Sequence, residues 1–253
     1  MVLVLVLGGW LGWAVHRARV QREVVAAIRQ AGGRVWYDDV WYDESEAVIN
    51  NAGTVLAAER RKSWPPPWLV DSIGIDYFYS VATVWFNDPG ADEIAGCVSR
   101  LPGLDLLDLD CSDLSDSGLA RLRGLDVRQL VLFNTNVTDA GARHLRGITS
   151  LRVLILDGTL VGDDGMAQIA TLPKLEELSV SRTNVTDVGV GSIVKLPALK
   201  DLNLAGTQVG DKGAALLASK ARLEGIELYD TRVSPAAIQA LRAALPDAGI
   251  SEP

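Results

Sequence analysis

Apolar positions along most of the chain recur with one long period. Leu107, Leu130, Leu154, Leu178, Leu202 and Ile226 follow each other at steps of 23, 24, 24, 24 and 24 residues. Two residues on, Leu109, Leu132, Leu156, Val180, Leu204 and Leu228 repeat; then come Ser112, Thr135, Thr159, Thr183, Thr207 and Thr231. Leu114, Val137, Val161, Val185, Val209 and Val233 form the next column, before Asp116, Asp139, Asp163, Asp187 and Asp211 and then Gly118, Gly141, Gly165, Gly189 and Gly213. The unit reads LxxLxLxxTxVTDxGxxxLxxLxx, and so many columns in register mark a repeat architecture. Alternating apolar residues such as Leu154 and Leu156 predict a short strand with one buried face, while Ile169 and Leu172 predict a helix packed behind it. Neither element buries its apolar side alone. Stacked copies share a core and form one parallel sheet of about seven strands on the inner face of an arc.

The polar columns have local work to do. The Thr hydroxyls stand where the chain leaves each strand and are expected to satisfy turn amides. The Asp column falls at the expected helix starts, where a carboxylate caps amides and meets the positive end of the helix dipole. Stacked Asp could also bind calcium, but the dense Gly-x-Asp pattern of calcium-binding β-helices is missing and no metal is expected. The Gly column is expected to admit close approach between neighbouring helices.

The ends of the array are less regular. Val81, Val84 and Phe86 fit the strand positions one unit early without the Thr and Asp signals, which makes residues 64–103 an elbow and a degenerate first repeat. Ile250, 24 residues after Ile226, predicts a last strand stub. Residues 24–30 are apolar at helical spacing, Gly32-Gly33 stop the helix, and residues 34–37 read as a strand capping the sheet. Trp64-Pro-Pro-Pro-Trp68 predicts an extended elbow leading into a short helix over 68–72; a ligand for a proline-recognising domain is the alternative.

Residues 1–15 carry no charge and are followed by His16, Arg17, Arg19 and Arg22, the outline of a membrane anchor with Trp10 and Trp13 at the interface. Fifteen residues rise only about 22 Å against a hydrocarbon core of roughly 30 Å, so a single-pass span needs thinning or further residues upstream. A cleaved signal peptide competes with the anchor, though a basic n-region and small-x-small site are not evident. The basic flank leans towards repeats on the cytoplasmic side. The resulting division is an anchor helix at 1–15, a juxtamembrane helix, cap strand and linker at 16–63, the elbow and first repeat at 64–103, and six repeats with a C-terminal cap at 104–253.

The unit resembles a leucine-rich repeat of the ribonuclease-inhibitor-like kind. Its TxVTDxG form resembles membrane-anchored repeat proteins of planctomycete-type bacteria, in which a membrane segment, a helix ending in GGRVxYD, a Pro/Trp elbow and repeats occur together. Residues 1–15, 26–38, 64–68 and 104–250 correspond to those parts. The resemblance implies an α/β solenoid: a right-handed arc with the parallel sheet on its concave face, short helices on its convex face, and an N-terminal hydrophobic helix. It implies a protein-binding module without a cofactor. Similar repeats recognise substrates in F-box proteins, but residues 16–103 offer no F-box-like adaptor, so no ubiquitin-ligase role is carried over.

Charge narrows the partners. The formal net charge is −8; residues 1–63 carry 8 Lys/Arg against 7 Asp/Glu, and residues 64–253 carry 16 against 25. An acidic body without a basic stripe argues against nucleic acid and for a protein partner with a basic surface. Cys97 and Cys111 have no metal-ligand or disulfide spacing. His16 and His144 are the only histidines, no nucleophile–base order is evident, and GxGxxG and GxxxxGKS are absent. An enzyme is therefore not expected; a hydrolase using paired carboxylates is the least favoured alternative, after a structural or adaptor protein recognised through the elbow.

Strand alternation selects the side chains on the concave face. Of twenty-one such positions from Thr83 to Tyr229, six are acidic and none is Lys or Arg. The expected partner-binding set is Trp85, Leu106, Asp108, Asp110, Val131, Phe133, Val153, Ile155, Asp157, Glu177 and Tyr229. Leu106, Val131, Phe133, Val153 and Ile155 would form an apolar patch with a polar rim. Phe133 is the expected anchor, separable from folding by its exposure, and Asp108 and Asp157 the expected steering charges.

Overall fold

The computed structural model describes residues 2–37, 72, 76 and 80–251, the first ten as backbone only. The Pro/Trp elbow and all but Ser72 of the helix expected over 68–72 lie outside the described residues. A long helix α1 (Val2–Gln30) leads into β1 (Arg34–Tyr37), and β2 (Val81–Trp85) and α2 (Ala91–Val98) form the irregular first repeat. The regular units follow as β3 (Leu106–Asp108), α3 (Asp116–Arg121), β4 (Gln129–Val131), α4 (Asp139–Ala142), β5 (Val153–Ile155) and α5 (Asp163–Ile169). Then come β6 (Glu177–Ser179), α6 (Asp187–Ile193), β7 (Asp201–Asn203), α7 (Asp211–Leu217), β8 (Gly225–Glu227), α8 (Pro235–Ala244) and β9 (Gly249–Ile250).

The nine strands among the described residues form one sheet in sequence order. β2 to β9 are parallel, as the stacking of like units requires, and β1 adds antiparallel beside β2 with Arg34 opposite Trp85. The register pairs Leu107, Leu130, Leu154, Leu178, Leu202 and Ile226 in one row, all at most 2% exposed. Leu109, Leu132, Leu156, Val180, Leu204 and Leu228 are fully buried, and one continuous apolar cluster runs from Val24 to Leu245. Each fully buried leucine contributes about 1.5–3 kcal/mol, and part of its cover comes from the next repeat, so stability belongs to the stack. The helices are shorter than the apolar spacing suggested. α5 ends at Ile169, and Leu172, though buried, lies beyond it; Pro173 disfavours the α conformation at the residue before it.

The Asp column does not cap its own helices. Caps come from the preceding residue where it has a hydroxyl: Ser115, Thr138, Thr186 and Ser234 accept from amides of the first helical turn. Each Asp reaches the helix start of the next repeat instead. Asp163 Oδ1 accepts from the Thr186 and Gly189 amides, both at 2.8 Å, and its Oδ2 accepts from the Thr186 hydroxyl at 2.7 Å. Asp116, Asp139, Asp187 and Asp211 make the same reach to Thr138, Gly162, Gly210 and Ser234. This explains the Gly column at closer range than helix packing. A Cβ on Gly189 would stand 2.5 Å from Asp163 Oδ1, and one on Gly141 2.2 Å from Asp116 Oδ1. The Thr hydroxyls also differ from expectation, since they donate to carbonyls three residues back rather than accept from turn amides: Thr135 to Leu132, Thr159 to Leu156, Thr183 to Val180.

The N-terminal end is closed by α1, whose Ala18, Val24, Val25 and Ile28 are buried. Gln21 joins helix to sheet: its Nε2 donates to Asp76 at 3.0 Å and its Oε1 accepts from the Val81 amide. Tyr37 Oη donates to the same Asp76 oxygen at 3.0 Å. Among the described residues no helix is long and apolar enough to cross a membrane. The expected single-pass helix is corrected accordingly: α1 meets His16, Arg17, Arg19 and Arg22 after its uncharged stretch and continues as a docking helix.

Candidate functional site

The sheet register sets the concave face out as rows running across the strands. The first row holds Thr83, Leu106, Gln129, Val153, Glu177, Asp201 and Gly225; the second holds Trp85, Asp108, Val131, Ile155, Ser179, Asn203 and Glu227. Past the strand ends, backbone bonds align Cys111 with Phe133, Asn134 with Asp157, Gly158 with Ser181 and Gly206 with Tyr229, which carries Asp110, Phe133, Asp157 and Tyr229 into a third row. The row positions separate two kinds of surface. Leu106, Val131, Phe133, Val153 and Ile155 lie on β3 to β5 and just beyond, all half-buried. Glu177, Asp201 and Glu227 lie on β6 to β8, all exposed. Beside them Ile155, Ser179, Asn203 and Tyr229 help line an open hollow of about 360 Å³.

The two halves differ in electrostatics. Asp108 stands between Trp85 and Val131 in its row, and this burial, with the Asp110 carboxyl beside it, pushes its pKa up to about 6. Its Oδ1 accepts from the Asp110 amide at 3.1 Å. Glu177, though exposed as a residue, is also held above the ordinary carboxylate range, first by loss of water around its carboxyl and then by Asp201 and Glu227. A positive group entering the hollow would relieve that repulsion.

Several members of the expected set have particular settings. Asp157 is committed internally: its Oδ1 accepts from the Ser179 hydroxyl at 2.6 Å and the Ser181 amide at 2.8 Å, so it ties β5 to β6 more than it steers. Phe133 is half-buried, so its truncation is expected to affect folding as well as contact. Tyr229, 51% exposed, is the aromatic that separates the two. Trp85 carries Arg34 over its ring, the guanidinium 5.3 Å from the centroid. That cation was outside the twenty-one positions because it comes from the antiparallel β1, and the signal for it was the strand read at Arg34-Val-Trp-Tyr37. Asp201, Asn203 and Glu227 were on the face by alternation but outside the expected set; only the hollow singles them out.

Comparison with known proteins bears on the fold of this surface. A family model described as Leucine Rich repeat matches residues 171–194 and 195–218. A crystal structure of an internalin C2 from Listeria monocytogenes superposes with a TM-score of 0.51 at 22% identity, covering 68% of this chain and 81% of that one. The array is a leucine-rich-repeat solenoid. A leucine-rich-repeat protein of Leptospira interrogans also aligns, with a TM-score of 0.45 at 18% identity over 62% of this chain and 45% of that one. A search of curated proteins by sequence returns no match.

Proposed function

We propose that this leucine-rich-repeat protein is a binding module, not an enzyme, and that it holds a protein partner on its concave face. The observation that carries the reading is the adjacency of the half-buried apolar rows on β3 to β5 and the acidic hollow on β6 to β8. An apolar centre beside charged ground suits a partner that inserts an apolar side chain next to a basic one. Trp85, Leu106, Val131, Phe133, Val153 and Ile155 supply the apolar contact, and Glu177, Asp201 and Glu227 select the basic surface. We propose also that the uncharged end of α1 enters lipid, in keeping with the membrane-anchored bacterial proteins its sequence resembles. Trp13 and Val15 are 56% and 44% exposed, and an uncharged apolar helix end with exposed Trp and Val suits insertion into lipid.

Photocrosslinking side chains placed at Ile155, at Tyr229 and at the convex-side Val188, which is 72% exposed, test the binding face in cells. Adducts with one protein from Ile155 and Tyr229 but not from Val188 are expected. Adducts from Val188 alone would move the site to the convex helices. With that partner in hand, Tyr229→Ala should leave stability within about 0.5 kcal/mol and weaken binding by about 2 kcal/mol.

A further inference from the structure

The two edges of the array carry opposite charge. The segments that run from each helix into the next strand, from α2–β3 through α8–β9, contain eleven Lys/Arg against five Asp/Glu. The segments that leave each strand contain two Arg against five Asp, and the first helical turns they lead into add eight more acidic residues. An acidic protein thus keeps a basic strand-entry edge. Part of that edge is neutralised internally, by Arg128 on Asp105 and by Arg152 and Lys200 on Glu176. Arg123, Lys174 and Lys195 are exposed there and form no ion pair among the described residues.

Helix α1 leaves the body at this same edge. It runs alongside β2 in the same direction: Arg17 donates to Ser80 just before the strand, Gln21 accepts from the Val81 amide, and Gly33 lies against Phe86 just past the strand. Glu23 meets Arg100, which lies in the segment entering β3, at 3.3 Å. Residues 2–16 therefore continue beyond the strand-entry edge for about 22 Å of helix. The helix end that carries no charge and the edge that carries positive charge point the same way.

We propose that the strand-entry edge faces a membrane and lies against anionic lipid headgroups when the end of α1 enters the bilayer. This rests on the insertion reading above and adds the lipid class and the orientation. The strands then stand roughly along the bilayer normal, the acidic edge is farthest from the lipid, and the concave face opens sideways to partners. Charge complementarity supplies the selectivity, since each basic residue near an anionic surface strengthens partition about fivefold.

Flotation of the full chain with vesicles of phosphatidylcholine alone, or of phosphatidylcholine mixed with phosphatidylserine, tests this. The chain should bind both and prefer the mixed vesicles, with the preference falling as salt is raised. Arg123→Gln, Lys174→Gln and Lys195→Gln together should lower binding to mixed vesicles about a hundredfold and leave phosphatidylcholine binding unchanged. Arg182→Gln with Arg232→Gln, on the opposite edge, should change neither. Equal wild-type binding to both vesicles overturns the edge assignment and leaves insertion standing. A preference that survives the triple variant also overturns it, and puts the charge sensitivity on Arg17, Arg19 and Arg22. Trp13→Glu with Val15→Glu should abolish binding to phosphatidylcholine. If that variant floats with phosphatidylcholine as the wild type does, insertion fails, while loss of the anionic preference in the triple variant still upholds the edge. Binding to neither vesicle refutes both.

Discussion

Replacing Gly189 by Ala isolates the contact that sets the spacing between repeats. The added Cβ would sit 2.5 Å from Asp163 Oδ1, 2.9 Å from Val185 Cγ1 and 3.3 Å from Met166 Cγ. The nearest of these atoms cannot simply swing away, because the Asp163 carboxylate is held by three hydrogen bonds to the Thr186 and Gly189 segment. Displacing it weakens bonds to a charged acceptor, each worth about 1.5–3 kcal/mol, against a gain of roughly 0.5–1 kcal/mol for Ala over Gly in a helix. The expected net cost of Gly189→Ala is about 2 kcal/mol. Asp163→Ala removes the same three bonds outright and should cost about 3 kcal/mol, since Thr186 keeps some access to water. The double variant should cost about 3 kcal/mol and not 5, because the Cβ then occupies the space the carboxylate left, giving a coupling of about 2 kcal/mol. Gly191, two residues on in the same helix, is the control: its Cβ would meet only Leu216 Cδ1, at 3.8 Å, so Gly191→Ala should stabilise by about 0.5–1 kcal/mol. Urea unfolding of the four variants, with the slope against denaturant checked for constancy, measures the cycle. Additivity of the two changes within about 0.5 kcal/mol would refute the reasoning and return the Gly column to ordinary helix packing.

The pKa of about 6 at Asp108 predicts a pH dependence of stability. Between roughly pH 4 and 6 the folded state keeps a proton that the unfolded chain has lost, so stability falls as pH rises through this window and levels off above it. Two units would be about 3 kcal/mol, and partial solvent access reduces this to about 1–2 kcal/mol; Asp108→Asn should remove the fall, and unfolding curves for the two proteins that stay parallel from pH 4 to 7 would contradict it. Gly158 has a φ of 68°, and a Cβ there would stand 2.2 Å from Asn134 Oδ1. Gly158→Ala should therefore destabilise by about 1–2 kcal/mol, a shift readable as a lowered Tm.

The solenoid was legible in the sequence because a repeat writes each spatial contact many times. Leu154 and Leu178 must be neighbours in a sheet if every unit has the same strand, and the observed pairing of Leu154 with Leu178 needs no further information. Strand alternation likewise assigned Val131, Ile155 and Glu177 to one face, since a period of two leaves no other choice. The polar columns were legible as positions and misread as partners. Asp163 and Thr186 are 23 residues apart, and nothing local in the sequence distinguishes a carboxylate that caps its own helix from one that reaches the next. That choice belongs to the stacking distance, which brings the Gly189 amide closer to Asp163 than any Cβ would allow.

The site divided in the same way. The absence of Lys and Arg from the parallel strands was a property of the sequence alone, but Arg34 joined the face only through the antiparallel addition of β1. Side-chain exposure was also a tertiary matter, since Phe133 is half-buried while Tyr229 is open in the same row. The opposite charges of the two edges lie scattered along the chain as single Arg, Lys and Asp residues. They become two surfaces only because every unit turns from strand to helix on one side and returns on the other, so that residues one period apart in sequence add their fields in space.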